Sequence, residues 1–330
     1  MVCVFVSAGA QTIDIKQDTA AVRRIWPLRA LDAILDFRDR LTKNDSTYIA
    51  RLPQKIKLDF AVNCSGANID ARGKNAPNEL RTHLYTKVKS TISVNITYRG
   101  LGIGIKVDPV NTFSSKASTE VNMSLYGNRI GIDAIYQASG VYKGFIEKNG
   151  DKKYVPEGVV NMDMLLVNSY YAFNARRFSY PAAFTHSWVQ KRSGGSVLAG
   201  LSYSLGKLSA NADDVIGNPS MSLNTSYGSI GIGYGYNFVI KNDLLLHLSA
   251  IPQVVFHSRN KLKIDQASRR APYRFPDIMV IGRVSLVRQF PKYYVGISGK
   301  VTTSTLGDRN KLILNNTKWI GQISFGIKLR

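Results

Sequence analysis

Lys318-Trp319-Ile320-Gly321-Gln322-Ile323-Ser324-Phe325-Gly326-Ile327-Lys328-Leu329-Arg330 is the stretch on which the reading of the fold turns. Taken in steps of two, Trp319, Gly321, Ile323, Phe325, Ile327 and Leu329 share one face. Ile320, Gln322, Ser324, Gly326, Lys328 and Arg330 share the other, which is polar apart from Ile320. Side chains that alternate in this way give a strand one dry and one wet face. A closing strand rich in aromatics suits a membrane-spanning β-barrel, and the same alternation recurs about a dozen times upstream.

Working outward from that strand, apolar stripes of period two lie in residues 55–63, 88–99, 101–108, 119–126, 129–138 (with 141–146 as an alternative continuation of the same strand) and 162–174. The second half adds 196–208, 226–239, 244–258, 278–289 and 293–303. With the closing strand the count is about twelve, an even number as single-chain bacterial barrels require. Arg99-Gly100, Gly127-Asn128, Lys241-Asn242-Asp243 and Pro291-Lys292 read as tight turns. Between them the segments 64–87, 109–118, 139–161, 209–225, 259–277 and 304–317 read as long polar connections. Short and long links in alternation are the rhythm of a barrel with turns at one end and surface loops at the other. Residues 175–195 break it: they fall on the short-turn side yet are long, and are expected either to fold into the barrel mouth or to cover its periplasmic end.

Composition agrees. Hydrophobic residues make up 44% of the 330, but no run approaches the roughly 20 apolar residues of a membrane helix. A chain of this kind that spans a bilayer must close into a barrel, so that every strand's backbone groups are satisfied. The expected fold is therefore all-β, a closed antiparallel up-and-down transmembrane β-barrel of about twelve strands with a short N-terminal periplasmic helix. Ala8-Gly9-Ala10 reads as a signal-peptidase site and residues 1–10 as the remnant of a signal peptide. Residues 11–54 read as a periplasmic segment, with a helix from Pro27 to Lys43, and 55–330 as the outer-membrane barrel. Cys64 would then be the mature chain's single cysteine, which excludes an internal disulfide.

The net charge of +22 is accompanied by no nucleic-acid-binding motif. Lipopolysaccharide or phospholipid headgroups are the expected partners, along with other envelope proteins, and no nucleic acid. Several segments carry a resemblance. Asp45-Ser46-Thr47-Tyr48-Ile49 with Leu52-Pro53, and Tyr98-Arg99-Gly100-Leu101-Gly102, are two. Tyr126-Gly127-Asn128-Arg129-Ile130-Gly131-Ile132-Asp133 and Phe178-Ser179-Tyr180-Pro181-Ala182-Ala183-Phe184 are two more. In this order they resemble an uncharacterised Bacteroidetes family, domain of unknown function 4421, over about residues 45–330. The resemblance implies an outer-membrane β-barrel and supplies no catalytic or ligand residue.

Chemistry is sparse in the sequence. The lumenal stripe is expected to carry a charged network of Lys57, Asp59, Arg99, Lys106, Asp133, Arg283, Lys300 and Lys328, with Arg129, Asp108 and Glu120 beside it. Either it forms an anion-preferring pore or it fills the interior with ion pairs; at twelve strands the filled or narrow lumen is favoured. Arg259, Lys261, Lys263, Arg269, Arg270 and Arg274 cluster in one surface loop and are the candidate contacts to anionic lipid. Gly231-Ile232-Gly233-Tyr234-Gly235 lies inside a strand, where glycine relieves crowding. No metal-ligand spacing and no cofactor motif occurs. His247-Leu248-Ser249 places a base and a hydroxyl on one strand face, as in outer-membrane phospholipase A, where an Asn orients the His and the pair faces lipid. Here Leu244, Leu246 and Leu248 take the lipid face, so His247 and Ser249 point inward, and no orienting group is evident nearby. The expected role is a narrow or plugged channel or a structural envelope component, and not an enzyme. A lipid hydrolase using His247 and Ser249, or a soluble periplasmic β-barrel binding an anionic ligand, are the alternatives.

Overall fold

The computed structural model describes residues 26–41, 43–75, 78–109, 119–148, 150–210, 221–241, 243–264, 267–270, 276–308 and 312–329. The proposed signal remnant therefore lies outside the described residues. Helix α1, Trp26–Arg40, forms where the helix was expected and stops three residues before Lys43. It belongs to one compact unit, residues 1–41; residues 42–330 form the other.

Twelve strands close the barrel: β2 (Ile56–Asn75), β4 (Lys89–Tyr98), β5 (Leu101–Val107), β6 (Thr119–Tyr126), β7 (Ile130–Lys148), β8 (Asp151–Ala172), β10 (Gly194–Ala210), β11 (Met221–Lys241), β12 (Leu244–Ile264), β14 (Asp277–Gln289), β15 (Tyr293–Asp308) and β16 (Leu312–Leu329). Each pairs antiparallel with the next. β16 then pairs with β2 from Leu312 opposite Gly73 to Leu329 opposite Ile56, which joins the last strand to the first and leaves the ring no free edge. β1 (Ile49–Arg51) and β9 (Trp188–Gln190) form a separate two-stranded ladder. β3 (Asn78–Thr86) and β13 (Ala267–Arg270) are the remaining strands.

The face assignment follows the period-two pattern throughout. Ile96 (58% exposed), Leu201, Ile232 (66%), Leu248, Ile297 and Phe325 all stand on the exterior, as do Val94, Ile103, Ile230, Val284 and Ile323. Alternate positions are buried and largely polar: Lys57, Asp59, Asn63, Asn168, Ser202, Asn237, His247 and Ser285. A soluble β-protein packs apolar groups inside. This exterior, lined with Ile, Val, Leu and Phe around a polar interior, is what a hydrocarbon surround stabilises.

Several stretches expected as loops are strand instead. β2 continues to Asn75 and β3 returns from Asn78, so residues 64–87 are chiefly a hairpin; β7 runs to Lys148 and β8 begins at Asp151. Residues 304–308 and 312–317, and the start of 259–277, are likewise paired. The missed signal has a physical basis. Beyond the apolar belt the outer face meets water while inward positions such as Ala67, Ile69, Leu84, Tyr142 and Val155 form an apolar cluster, so the apolar-out, polar-in pattern of the belt does not continue although the backbone ladder does. At that level β3 does more than continue a hairpin. It pairs with β2 on one side and with β7 on the other, so that one strand occupies the place held lower down by β4, β5 and β6.

Candidate functional site

The described short turns, both ends of the barrel strand order, and residues 173–193 lie at one end of the ring. There the link from β8 to β10 turns inward. Ser179 caps a five-residue helix, α2 (Tyr180–Phe184), by accepting from the Ala182 N–H at 3.2 Å, and Pro181 occupies its first turn. Tyr180, Ala182 and Ala183 are buried. Their contacts come from inward positions around the circumference. Lys57 on β2 donates to the Thr185 carbonyl. Asn237 on β11 donates to the Ser179 carbonyl at 2.9 Å, and Ser285 on β14 to the Ala183 carbonyl at 2.8 Å. The Tyr180 ring packs on Tyr170 of β8 (4.4 Å between centroids), Tyr126 of β6 (6.0 Å) and His247 of β12 (5.1 Å). His186, held in the left-handed region at φ 52, stacks on Tyr294 of β15 at 3.9 Å. Partners on so many strands are reachable only from within, so the segment is a cork in the lumen. Of the two placements expected for residues 175–195, the inward one is observed.

Nearly all the described cork contacts are neutral hydrogen bonds and ring packing. Burial holds the His186 imidazole down to about 3, assisted by the nearby Lys57 ammonium, so it is uncharged in place. Outside the lumen, Asp45 accepts from the Thr47 hydroxyl and N–H, and these bonds hold its carboxyl below the usual range.

Above the cork the lumen is crossed by charge. Asp133 of β7 accepts from Arg283 of β14 at 2.8 Å and from Lys300 of β15 at 3.3 Å, strands on the opposite side of the ring. Asn168 and Tyr126 donate to the same carboxylate at 2.9 and 3.1 Å. A second strut joins Glu120 of β6 to Lys106 of β5 at 2.5 Å and to Lys318 of β16 at 3.9 Å, and Lys318 also reaches Gln137 of β7. A cavity of about 240 Å³ lies among these groups and the inner side of the cork. Four cations, Lys106, Arg283, Lys300 and Lys318, line it against the carboxylates of Glu120, Asp133 and Asp59.

Of the network expected from sequence, Lys57, Asp59, Lys106, Asp133, Arg283, Lys300 and Lys328 are lumenal. Lys328 donates to the Phe290 carbonyl at 2.6 Å near the rim. Arg99 is not in the lumen. It and Gly100 take positive φ (51 and 94), the twist a two-residue hairpin turn needs, and Arg99 lines a rim cleft with Arg51, Lys55 and Trp188. Arg129 also lies at a turn and donates to Tyr171 at 2.9 Å. Asp108 pairs with Lys89 at 3.6 Å. The basic segment is at the opposite end from these turns: Arg259 and Lys261 extend β12 with exposed side chains, Lys261 faces Arg270 and Leu262 faces Arg269 across β12–β13. Arg274 lies outside the described residues. His247 and Ser249 point inward as expected, but the missing orienting group is present: Asn237 Oδ1 is 2.7 Å from His247 Nδ1. Its signal was available, since Asn237 and His247 are direct partners across the β11–β12 hairpin.

Residues 43–328 match the family described as Domain of unknown function (DUF4421). The chain belongs to that family. No curated protein sequence matches it. Among solved structures it is similar to the outer membrane protease OmpT from Escherichia coli, at 11% identity, covering 85% of this chain and 98% of that one with a TM-score of 0.43. It is also similar to the translocator domain of the autotransporter NalP from Neisseria meningitidis (13% identity, 96% and 99% covered, TM-score 0.36). The toluene transporter TodX of P. putida is a third (6% identity, 84% and 91% covered, TM-score 0.34).

Proposed function

We propose that this family member is an outer-membrane channel protein, corked from the periplasmic side, whose narrow lumen takes small anions. The observation that carries the reading is the cavity between cork and struts, where Lys106, Arg283, Lys300 and Lys318 outnumber the facing carboxylates. A lining with one net positive charge, in a space of lower dielectric than bulk water, attracts an anion and repels a cation more strongly than the same charge in solution. The cork and the two struts limit passage, so conduction requires the cork to move. With the short turns on the periplasmic side, Arg259 and Lys261 face outward beside lipopolysaccharide, which their exposed charge suits.

Planar-bilayer recording tests this. The refolded full chain should show low, intermittent conductance that rises about tenfold when residues 178–187 are replaced by a short Gly/Ser linker, because lumen access then scales with barrel size rather than with the cork. The reversal potential in a KCl gradient should indicate chloride preference, and should move toward potassium in the Lys300→Glu, Lys318→Glu double variant. A steady, large, cation-preferring conductance in the unmodified chain would overturn the proposal.

A further inference from the structure

The contacts that hold the cork also fix the polarity of a side-chain relay, and each step is forced by the one before. Gln190 donates to the carbonyls of Arg177 at 2.6 Å and Arg192 at 2.8 Å. Carbonyls only accept, so the amide nitrogen of Gln190 is committed there. Its Oε1 must then be the atom that receives the Ser179 N–H at 2.9 Å and meets Asn237 at 3.0 Å. Asn237 consequently turns its nitrogen to Gln190 Oε1 and to the Ser179 carbonyl, and its Oδ1 to His247 Nδ1. Because Oδ1 only accepts, Nδ1 carries the proton. In the tautomer this fixes, Nε2 is the acceptor nitrogen and lies 2.9 Å from Ser249 Oγ, placed to take the hydroxyl proton.

We propose that Ser249, His247 and Asn237 form a serine-nucleophile site for acyl transfer, acting on small anionic carboxylic esters that arrive through the lumen. A nucleophile, a base within hydrogen-bond reach and a third group that orients the base are the structural requirements of such a site. Tautomer and geometry both meet them. His247 and Asn237 are fully buried, the imidazole being enclosed by Phe178, Tyr180 and Phe184 at 5.0 to 5.9 Å between centroids. Ser249 is only half-buried, and its neighbours Phe184, Arg283 and Ser285 line the lumenal cavity from which a solute would approach it. Arg283 is its partner across β12–β14 and contributes to the cationic cavity, which selects esters bearing a carboxylate or phosphate. The inward parity of Ser249 excludes an acyl chain still resident in the bilayer.

In the reaction Ser249 Oγ bonds to the ester carbonyl carbon as its proton passes to His247 Nε2. The alcohol oxygen leaves with that proton, giving an acyl-serine. Water then attacks the acyl carbon, delivers a proton through His247 to Oγ, and releases the carboxylic acid. The Tyr180 hydroxyl, 3.5 Å from Oγ, is placed beside the developing oxyanion. Asn237 touches neither substrate nor reacting atoms and is a positioning residue.

Access through the lumen rests on the channel reading, whereas the relay does not. The test therefore uses a reagent small enough to enter a detergent-solubilised barrel. The refolded full chain is treated with a short-chain fluorophosphonate, which bonds phosphorus to an activated serine oxygen and expels fluoride, and the adduct is mapped by mass spectrometry. An adduct on Ser249 is expected, absent in Ser249→Ala, formed at least about a hundredfold more slowly in His247→Gln as loss of a general base implies, and unchanged in Ser204→Ala. Heat-modifiable migration on a gel shows that each variant is folded, and Asn237→Ala, which removes the acceptor that fixes the His247 tautomer, should slow labelling and shift its pH dependence while Ser204→Ala does neither. An unlabelled Ser249 in the folded parent, or labelling indifferent to His247→Gln, would overturn the site and leave the relay as a tether for the cork. Either result stands apart from the conductance measurement.

Discussion

The two halves of this lumen are closed by different physics. Near the short turns, the cork is held by aromatic rings and by mostly neutral donors aimed at backbone carbonyls, among them Asn237 to Ser179 and Ser285 to Ala183. Higher up, opposite walls are tied by Asp133 with Arg283 and Lys300, while Glu120 pairs with Lys106 on the adjacent strand and reaches across to Lys318 of β16. Neutral bonds of the first kind contribute about 1 kcal/mol each and break one at a time. Buried ion pairs of the second kind contribute little net, yet removing one partner strands the other charge. The cork is thus built to be released and the struts to stay.

The sharpest way to break that contrast is to remove the carboxylate that two cations share. Asp133→Asn should lower the unfolding free energy of the refolded barrel by about 3–5 kcal/mol, the usual consequence of stranding a buried charge, read as a drop in urea midpoint. Survival of the barrel with an unchanged midpoint would mean that water already screens the strut.

Acid should act on the other half, and more gently. His186 is neutral in place with its pKa near 3, against 6.5 once exposed. The released state therefore binds the extra proton. The stabilisation is complete above pH 6.5 and is lost as pH falls from 6.5 toward 3, by up to about 1.4 kcal/mol per pH unit. Bilayer recordings should show openings becoming more frequent between pH 7 and pH 5. His186→Gln should flatten that dependence, and a slope that persists in the variant would assign it to another group.

The smallest effect belongs to a region outside both halves. Arg259→Gln with Lys261→Gln should weaken lipopolysaccharide binding at low ionic strength, the difference fading as salt shortens the Debye length to about 8 Å. Stability should stay within about 0.5 kcal/mol, as for most surface substitutions. Equal binding by parent and variant would remove these residues from the lipid contact.

What the sequence disclosed, and what it withheld, follows the same division. Period-two stripes such as Ile92, Val94 and Ile96 located the belt, and Gly127-Asn128 located a turn, because lipid on one side and polar groups on the other write a two-residue contrast into every spanning strand. Above the belt the apolar side turns inward, as at Ile69 and Leu84, and the belt's pattern no longer marks the strand. Inward parity placed His247, Ser249, Asp133 and Arg283 correctly. Arg99 was misplaced because counting in twos does not register that its hairpin turn had already begun. Asn237 has no local link to His247, ten residues later, and only the pairing of β11 with β12 brings the two together. The cork's partners, drawn from seven strands, have no local signature at all.

The exchange of three strands for one beyond β5 and β6 gives the barrel itself a body and a narrower neck. Twelve strands circle the cork, but at the level of Asn68 and Tyr85 the circuit is β2, β3, β7, β8, β10, β11, β12, β14, β15 and β16. Because circumference follows strand number, the neck is narrower than the body by roughly a sixth. A folded α2 seated in the body is thereby set below a throat tighter than its own compartment. Its natural exit is the broad base from which its chain enters, and during assembly it must be swallowed from that same side, before or while β16 seals against β2. The direction in which the vessel can be uncorked is thus decided by strand pairing far from the cork itself.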